Sequence, residues 1–262
     1  MNNVSFMHKQ FIVSLVFCFF ANAISAQSNI AIIMDMDTGF TNQSYFYSGS
    51  NGLQKEEIKK NWDEGRYITS VAHTSVGWFV SMNKGVKWTS QSYNNVSSWP
   101  DSWVHEKMND GYAITSLASS DSQWMIVMSK GSDFTNQQIC CAPWSSLKDW
   151  ISKWWDQGLY ITGIAYCDRL WTVVMSKTSL YSAQAYLWAS STSELSDKIK
   201  KKWDEDYLIT ALEYGSGEWF CIMTKLSSGK SPAESYKVNF SSPGNFIKEY
   251  WDKSYNIKYI GG

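Results

Sequence analysis

A tryptophan that returns every 46 to 48 residues constrains this chain more than any other feature. It stands at Trp62, Trp155, Trp203 and Trp251, with Met108 in the second place of the series. Ile-Thr follows in step at Ile68-Thr69, Ile114-Thr115, Ile161-Thr162 and Ile209-Thr210, and Ile257-Lys258 is an altered last copy. A second phrase opens at Trp78, Trp124, Trp171 and Trp219, each followed four residues later by Met82, Met128, Met175 or Met223. A third places Gln91, Gln137 and Gln184 nine residues after their Met, with Glu234 in that place after a two-residue insertion. A fixed period of this length marks repeated supersecondary units, none of which can bury its apolar face alone.

Each phrase predicts a local structure. An apolar residue precedes each anchor by four positions (Ile58, Val104, Ile151, Ile199, Ile247), which puts both on one face of a helix. Ser146-x-x-Asp149 has the form of a capping box, and Pro243 suits a first helical turn. Gly65, Gly111 and Gly158 stand where a left-handed residue would end the helix. A β-branched strand follows. The next segments, such as WFVSM and WTVVMS, are apolar on both faces and should lie mid-sheet. Segments such as QSYNNV then read as a third strand, joined to the second by a hairpin.

The beginning of the chain, with Met34 and Gln43, carries strands two and three without a helix; the end carries a helix and first strand alone. The expected fold is mainly β with peripheral helices: a closed, propeller-like ring of five helix-strand-strand-strand repeats of about 47 residues, its last unit completed by both termini. Closure hides sheet edges. An open solenoid would need polar capping repeats instead.

Lys9, a short apolar run from Phe11 to Ala21 and a small-residue exit at Ala26 read as a signal peptide over residues 1–26. A membrane anchor would need about 20 apolar residues. The reading is a single domain over residues 27–262, secreted or periplasmic, monomeric and without a membrane span after cleavage. With 23 basic and 24 acidic residues the formal charge is −1, which gives no footprint for a nucleic-acid partner. Cys140, Cys141, Cys167 and Cys221 show no disulfide framework and are expected to be mostly free or buried.

The combined grammar, WDxGxxIT, then GWxxxMSKG, then QxY, resembles a domain of unknown function found at the C-terminal end of plant casein-kinase-I-like protein kinases. The resemblance runs from about Ser28 to Gly262. The chain has no glycine-rich loop, no His-Arg-Asp phrase and no Asp-Phe-Gly, so kinase activity is not implied. What the resemblance implies is a stand-alone accessory domain, a binding module without established catalytic residues.

No catalytic residue, metal site or cofactor is expected from motifs. His73 and His105 form no zinc pattern, and Asp35 to Gly39 (DMDTG) lacks the remaining ligands of a calcium loop and reads as a turn. Asp63, Asp156, Asp204 and Asp252 oppose the helix dipole and are expected to have a structural partner. The candidate ligand-binding residues lie between strands two and three. An aromatic (Phe40, Trp88, Phe134, Tyr181) precedes by three residues each of Gln43, Gln91, Gln137 and Gln184. Flat apolar faces beside amide, hydroxyl and ammonium groups suit a glycan or a peptide. The leading reading is therefore a non-catalytic module for a glycan or protein. The alternatives are an enzyme with a hydrolase-like site at the ring axis, or a structural assembly protein.

Overall fold

The computed structural model describes residues 29–49, 51–120, 122–240 and 242–262; the signal-peptide reading lies outside the described residues. In chain order it forms β1 (Ala31–Asp35), β2 (Asn42–Tyr47), α1 (Lys55–Asp63), β3 (Tyr67–Thr74) and β4 (Gly77–Lys84). Next come β5 (Ser90–Val96), α2 (Asp101–Asn109), β6 (Tyr112–Ser119) and β7 (Trp124–Lys130). The third series is β8 (Thr135–Ala142), α3 (Trp144–Trp155), β9 (Leu159–Cys167) and β10 (Leu170–Lys177). The fourth is β11 (Tyr181–Ala189), α4 (Thr192–Trp203), β12 (Leu208–Gly215) and β13 (Glu218–Leu226). The chain closes with β14 (Glu234–Val238), α5 (Pro243–Trp251) and β15 (Asn256–Gly261).

These strands make five three-stranded antiparallel sheets: β2-β4-β3, β5-β7-β6, β8-β10-β9, β11-β13-β12 and β14-β1-β15. The doubly apolar second strand of each repeat is the middle one, as its composition requires. β1 runs between β15 and β14, so chain segments from opposite ends share a sheet.

The expected hairpin between strands two and three does not form. β4 already holds β3 on one edge and β2 on the other, and both edges are filled. The chain must therefore leave for the neighbouring sheet, where β5 becomes the outer strand against β7. Each sheet is built from two successive repeats, which ties every repeat to the next by a full ladder of backbone hydrogen bonds.

Neighbouring sheets meet through their inner strands. β3 lies against β6, β6 against β9, β9 against β12, β12 against β15, and β15 against β3. Side chains bridge these seams: Ser116 Oγ accepts from Val71 N at 3.0 Å, and Ser70 Oγ accepts from Ile260 N at 2.8 Å. The approach is close at Gly261, where an added Cβ would stand 1.8 Å from the carbonyl oxygen of Leu212.

The core fills the gaps between sheets. Between the third and fourth, Trp171 and Phe220 are both almost fully buried, and Trp188 stacks on Phe220 with ring centres 4.3 Å apart. Gly65, Gly111 and Gly158 all take positive φ after their helices, and Asp206 and Ser254 hold that conformation in the other two units. Pro243 does open α5, but Ser146 lies inside α3, whose N-cap is Pro143, so no capping box forms there. The partners of Asp63 and Asp252 are Lys59 and Lys248, one turn back on their own helices. All four described cysteines are free.

Candidate functional site

A β-bulge recurs on every inner strand. Ile68 sits opposite Met82 and Ser70 opposite Ser81, leaving Thr69 without a partner. The same skip occurs at Thr115, Thr162, Thr210 and Lys258. A bulge re-aims the extra side chain, and here all five re-aimed residues line one cavity of about 140 Å³, with Phe134 and Tyr181.

The glutamines hold these bulges open. Gln91 Oε1 accepts from Ile68 N at 2.7 Å and from the Trp62 indole at 3.0 Å. Its amide nitrogen donates to Ile68 O and to Ser129 Oγ. Gln184 repeats the pattern with Ile161, Trp155 and Thr224, and Gln43 with Ile257, Trp251 and Asn83. Gln137 does the same with Ile114 and Ser176, in the one unit where Met108 replaces the tryptophan. The amide atoms of all four are thus engaged by the frame, each bridging two sheets.

The sheet β14-β1-β15 departs from this pattern at three positions at once. Where the others place a glutamine, a Ser, Thr or Asn, and a bulged threonine, it has Glu234, Asp35 and Lys258. Lys258 Nζ contacts Asp35 Oδ2 at 2.5 Å, with the aspartate side chain 2% exposed and the lysine 26%. Glu234 accepts from Ile209 N at 2.9 Å and the Trp203 indole at 2.6 Å. Burial, then the nearby Asp35 carboxylate, hold the Glu234 carboxyl well above its usual range. Burial would lower Lys258, but Asp35 and Glu234 outweigh it and keep the ammonium raised. Asp35 Oδ1 is buried with no hydrogen-bond partner.

Beside this sheet opens a larger recess of about 440 Å³. Asp35, Phe40, Leu180, Tyr181, Thr210 and Lys258 are among the residues lining it, together with Ser179, Ser227 and Ser228. Tyr181, Thr210 and Lys258 line both spaces, so the recess and the small cavity adjoin. Of the four aromatics picked out in the sequence, Phe40 and Tyr181 line the recess, and Phe134 lies 6.5 Å from Tyr181. Trp88 is not brought in; it packs edge-on to Tyr67 at 6.2 Å. Lys130 and Lys225 sit over the rings of Tyr112 and Tyr207.

Sequence reasoning missed the importance of Lys258, Asp35 and Glu234 as a group. The signal was present in three separate departures from period, which only the strand register brings to one sheet.

Other chemistry finds little purchase. Among the described residues no group of three His, Cys, Asp or Glu could hold a metal ion, and no helix is long and apolar enough to cross a membrane. Burial pushes the Cys167 thiol up to about 11, and Cys140 and Cys221 upward too, which disfavours a thiolate nucleophile. His73 packs edge-on to Trp78 at 5.0 Å and is not among the residues lining the recess.

Comparison with known proteins places the chain in a family. A family described as "Domain of unknown function (DUF7477)" matches residues 17–145 and again 141–261. The chain belongs to this family. It is also 37% identical over 83 residues to casein kinase 1-like protein HD16 of Oryza sativa subsp. japonica. That stretch takes in 31% of this chain and only 12% of the rice protein.

Proposed function

We propose that this DUF7477 chain is a non-catalytic glycan-binding module, secreted or periplasmic and monomeric, whose five sheets form a closed propeller-like ring. The cyclic order of inner-strand contacts, with β15 returning to β3, supports closure. The observation that carries the glycan reading is the pairing of Phe40 and Tyr181 with charged and hydroxyl groups in one recess. Sugars present apolar C–H faces to aromatic rings and hydroxyls to polar neighbours. A volume of about 440 Å³ falls in the usual range for small-ligand sites.

Intrinsic tryptophan fluorescence and calorimetry against a panel of polysaccharides and their oligosaccharides test this. The expected result is saturable binding, weakened at least tenfold by Phe40→Ala or Tyr181→Ala and unchanged by Trp88→Ala. Binding untouched by either recess substitution would sink the site, and no binding across the panel would turn the search to protein ligands.

One observation favours a second, hydrolase-like reading: an ammonium and a carboxylate, Lys258 and Asp35, face the recess, with Glu234 beside them on the next strand. Release of new reducing ends from a bound oligosaccharide would decide for it.

A further inference from the structure

Resting on the glycan reading above, we propose that Asp35 and Lys258 read two neighbouring hydroxyls of an uncharged sugar, and that the recess discriminates against acidic glycans. The argument starts from what the pair has left to give. Lys258, which lines the recess, has one ammonium N–H committed to Asp35 Oδ2, leaving two further donors. Asp35 Oδ1 is an acceptor buried without a donor, in a residue that lines the same recess. An unmatched buried carboxylate oxygen is costly and calls for a donor.

A vicinal diol fits that arrangement. One hydroxyl donates to Asp35 Oδ1 while its neighbour accepts from Lys258, and hydroxyls can do both where a carboxylate or sulfate can only accept. Ser179 and Ser227 add groups of the same dual character, and Tyr181 adds an aromatic face.

Charge points the same way. The ammonium of Lys258 is already matched by Asp35. Asp37 also lines the recess. An acidic sugar would meet a cation already compensated by Asp35, with Asp37 lining the same recess. Like charges brought together in a partly desolvated site are disfavoured.

The test is calorimetry on the protein at low ionic strength. Neutral gluco-, manno- and galacto-oligosaccharides are titrated first, and each binder is then compared with its own C6-oxidised, uronic-acid form. We expect the oxidised form to bind at least tenfold more weakly. The triple substitution Asp35→Ser, Glu234→Gln, Lys258→Thr gives this sheet the residues that β8, β10 and β9 carry at Gln137, Ser176 and Thr162. It is expected to fold and to lose at least tenfold in affinity for the neutral sugar.

Equal binding of neutral and oxidised forms overturns the charge selection, whether or not the triple variant folds. Neutral binding that persists in a folded triple variant overturns the role of the pair while leaving the glycan reading intact. Absence of binding to every oligosaccharide overturns both.

Discussion

The indole N–H of Trp251 donates to Gln43 Oε1 at 2.7 Å, joining residues 208 positions apart in the chain. The same bond links Trp62 to Gln91 and Trp155 to Gln184. A helix-end tryptophan and a third-strand glutamine, which look like separate motifs in the sequence, are two halves of one joint between sheets.

That joint predicts a ranked cost. Gln91→Leu leaves the Trp62 indole, the Ile68 N–H and the Ile68 carbonyl without their partner, and should destabilise by roughly 2–4 kcal/mol. Gln137→Leu should cost less, because Met108 offers no donor. Urea denaturation of the two variants compares them directly, and equal losses would refute the ranking.

Glu213 predicts a pH dependence. It is 4% exposed, accepts from Tyr259 O–H at 2.7 Å and Gly262 N–H at 3.0 Å, and burial still pushes its pKa from 4.5 up to about 8. A carboxyl whose pKa is raised in the folded state holds its proton longer there than in the unfolded chain. Its contribution is therefore full below about 4.5 and declines as pH rises towards about 8. The slope over that window is roughly 1.4 kcal/mol per pH unit. Glu213→Gln should remove this contribution, leaving that of Glu234, which shifts in the same direction. Denaturation midpoints measured from pH 4.5 to 8 give the answer; an unchanged profile in the variant would dismiss Glu213 as the source.

Asp206 and Ser254 occupy the left-handed position that Gly65, Gly111 and Gly158 take in the other units, with φ of 64° and 67°. A side chain there carries strain that glycine avoids. Asp206→Gly and Ser254→Gly should each stabilise by roughly 1 kcal/mol, read as a raised Tm. A lowered Tm would mean that the side chain contributes more than its backbone strain costs.

Gly261 predicts the opposite sign. Gly261→Ala would drive a methyl group into the Leu212 carbonyl oxygen, at a seam where neither strand can retreat without losing its ladder. A loss of roughly 1–3 kcal/mol is expected, and unchanged stability would show that β12 and β15 are less tightly apposed.

Most of the architecture was legible because Trp, Met, Gln and Ile-Thr each obey one period. Which sheet receives the third strand was not, since a period is the same wherever the repeat is cut. The bulges were hidden for a related reason: Thr69 and its counterparts are β-branched and read as ordinary strand residues. Their register is fixed by glutamines from the next sheet, a contact no local pattern encodes. Phe40 and Tyr181 were visible as aromatics in step, but Trp88 obeyed the same spacing and points elsewhere. Asp35 was hidden inside what read as a turn, yet it ends a buried strand.

The position of β1 sets an order of events on the ribosome. Ala31–Asp35 is an entirely buried strand whose two partners, β14 and β15, begin about two hundred residues later. Early in synthesis it emerges with both hydrogen-bonding edges bare and an apolar face on either side. It must remain so while the intervening sheets assemble, since both strands that pair with it in its final register are made later. The nascent chain thus carries an aggregation-prone segment until both partners are made, and the earliest of the described strands is among the last to be satisfied.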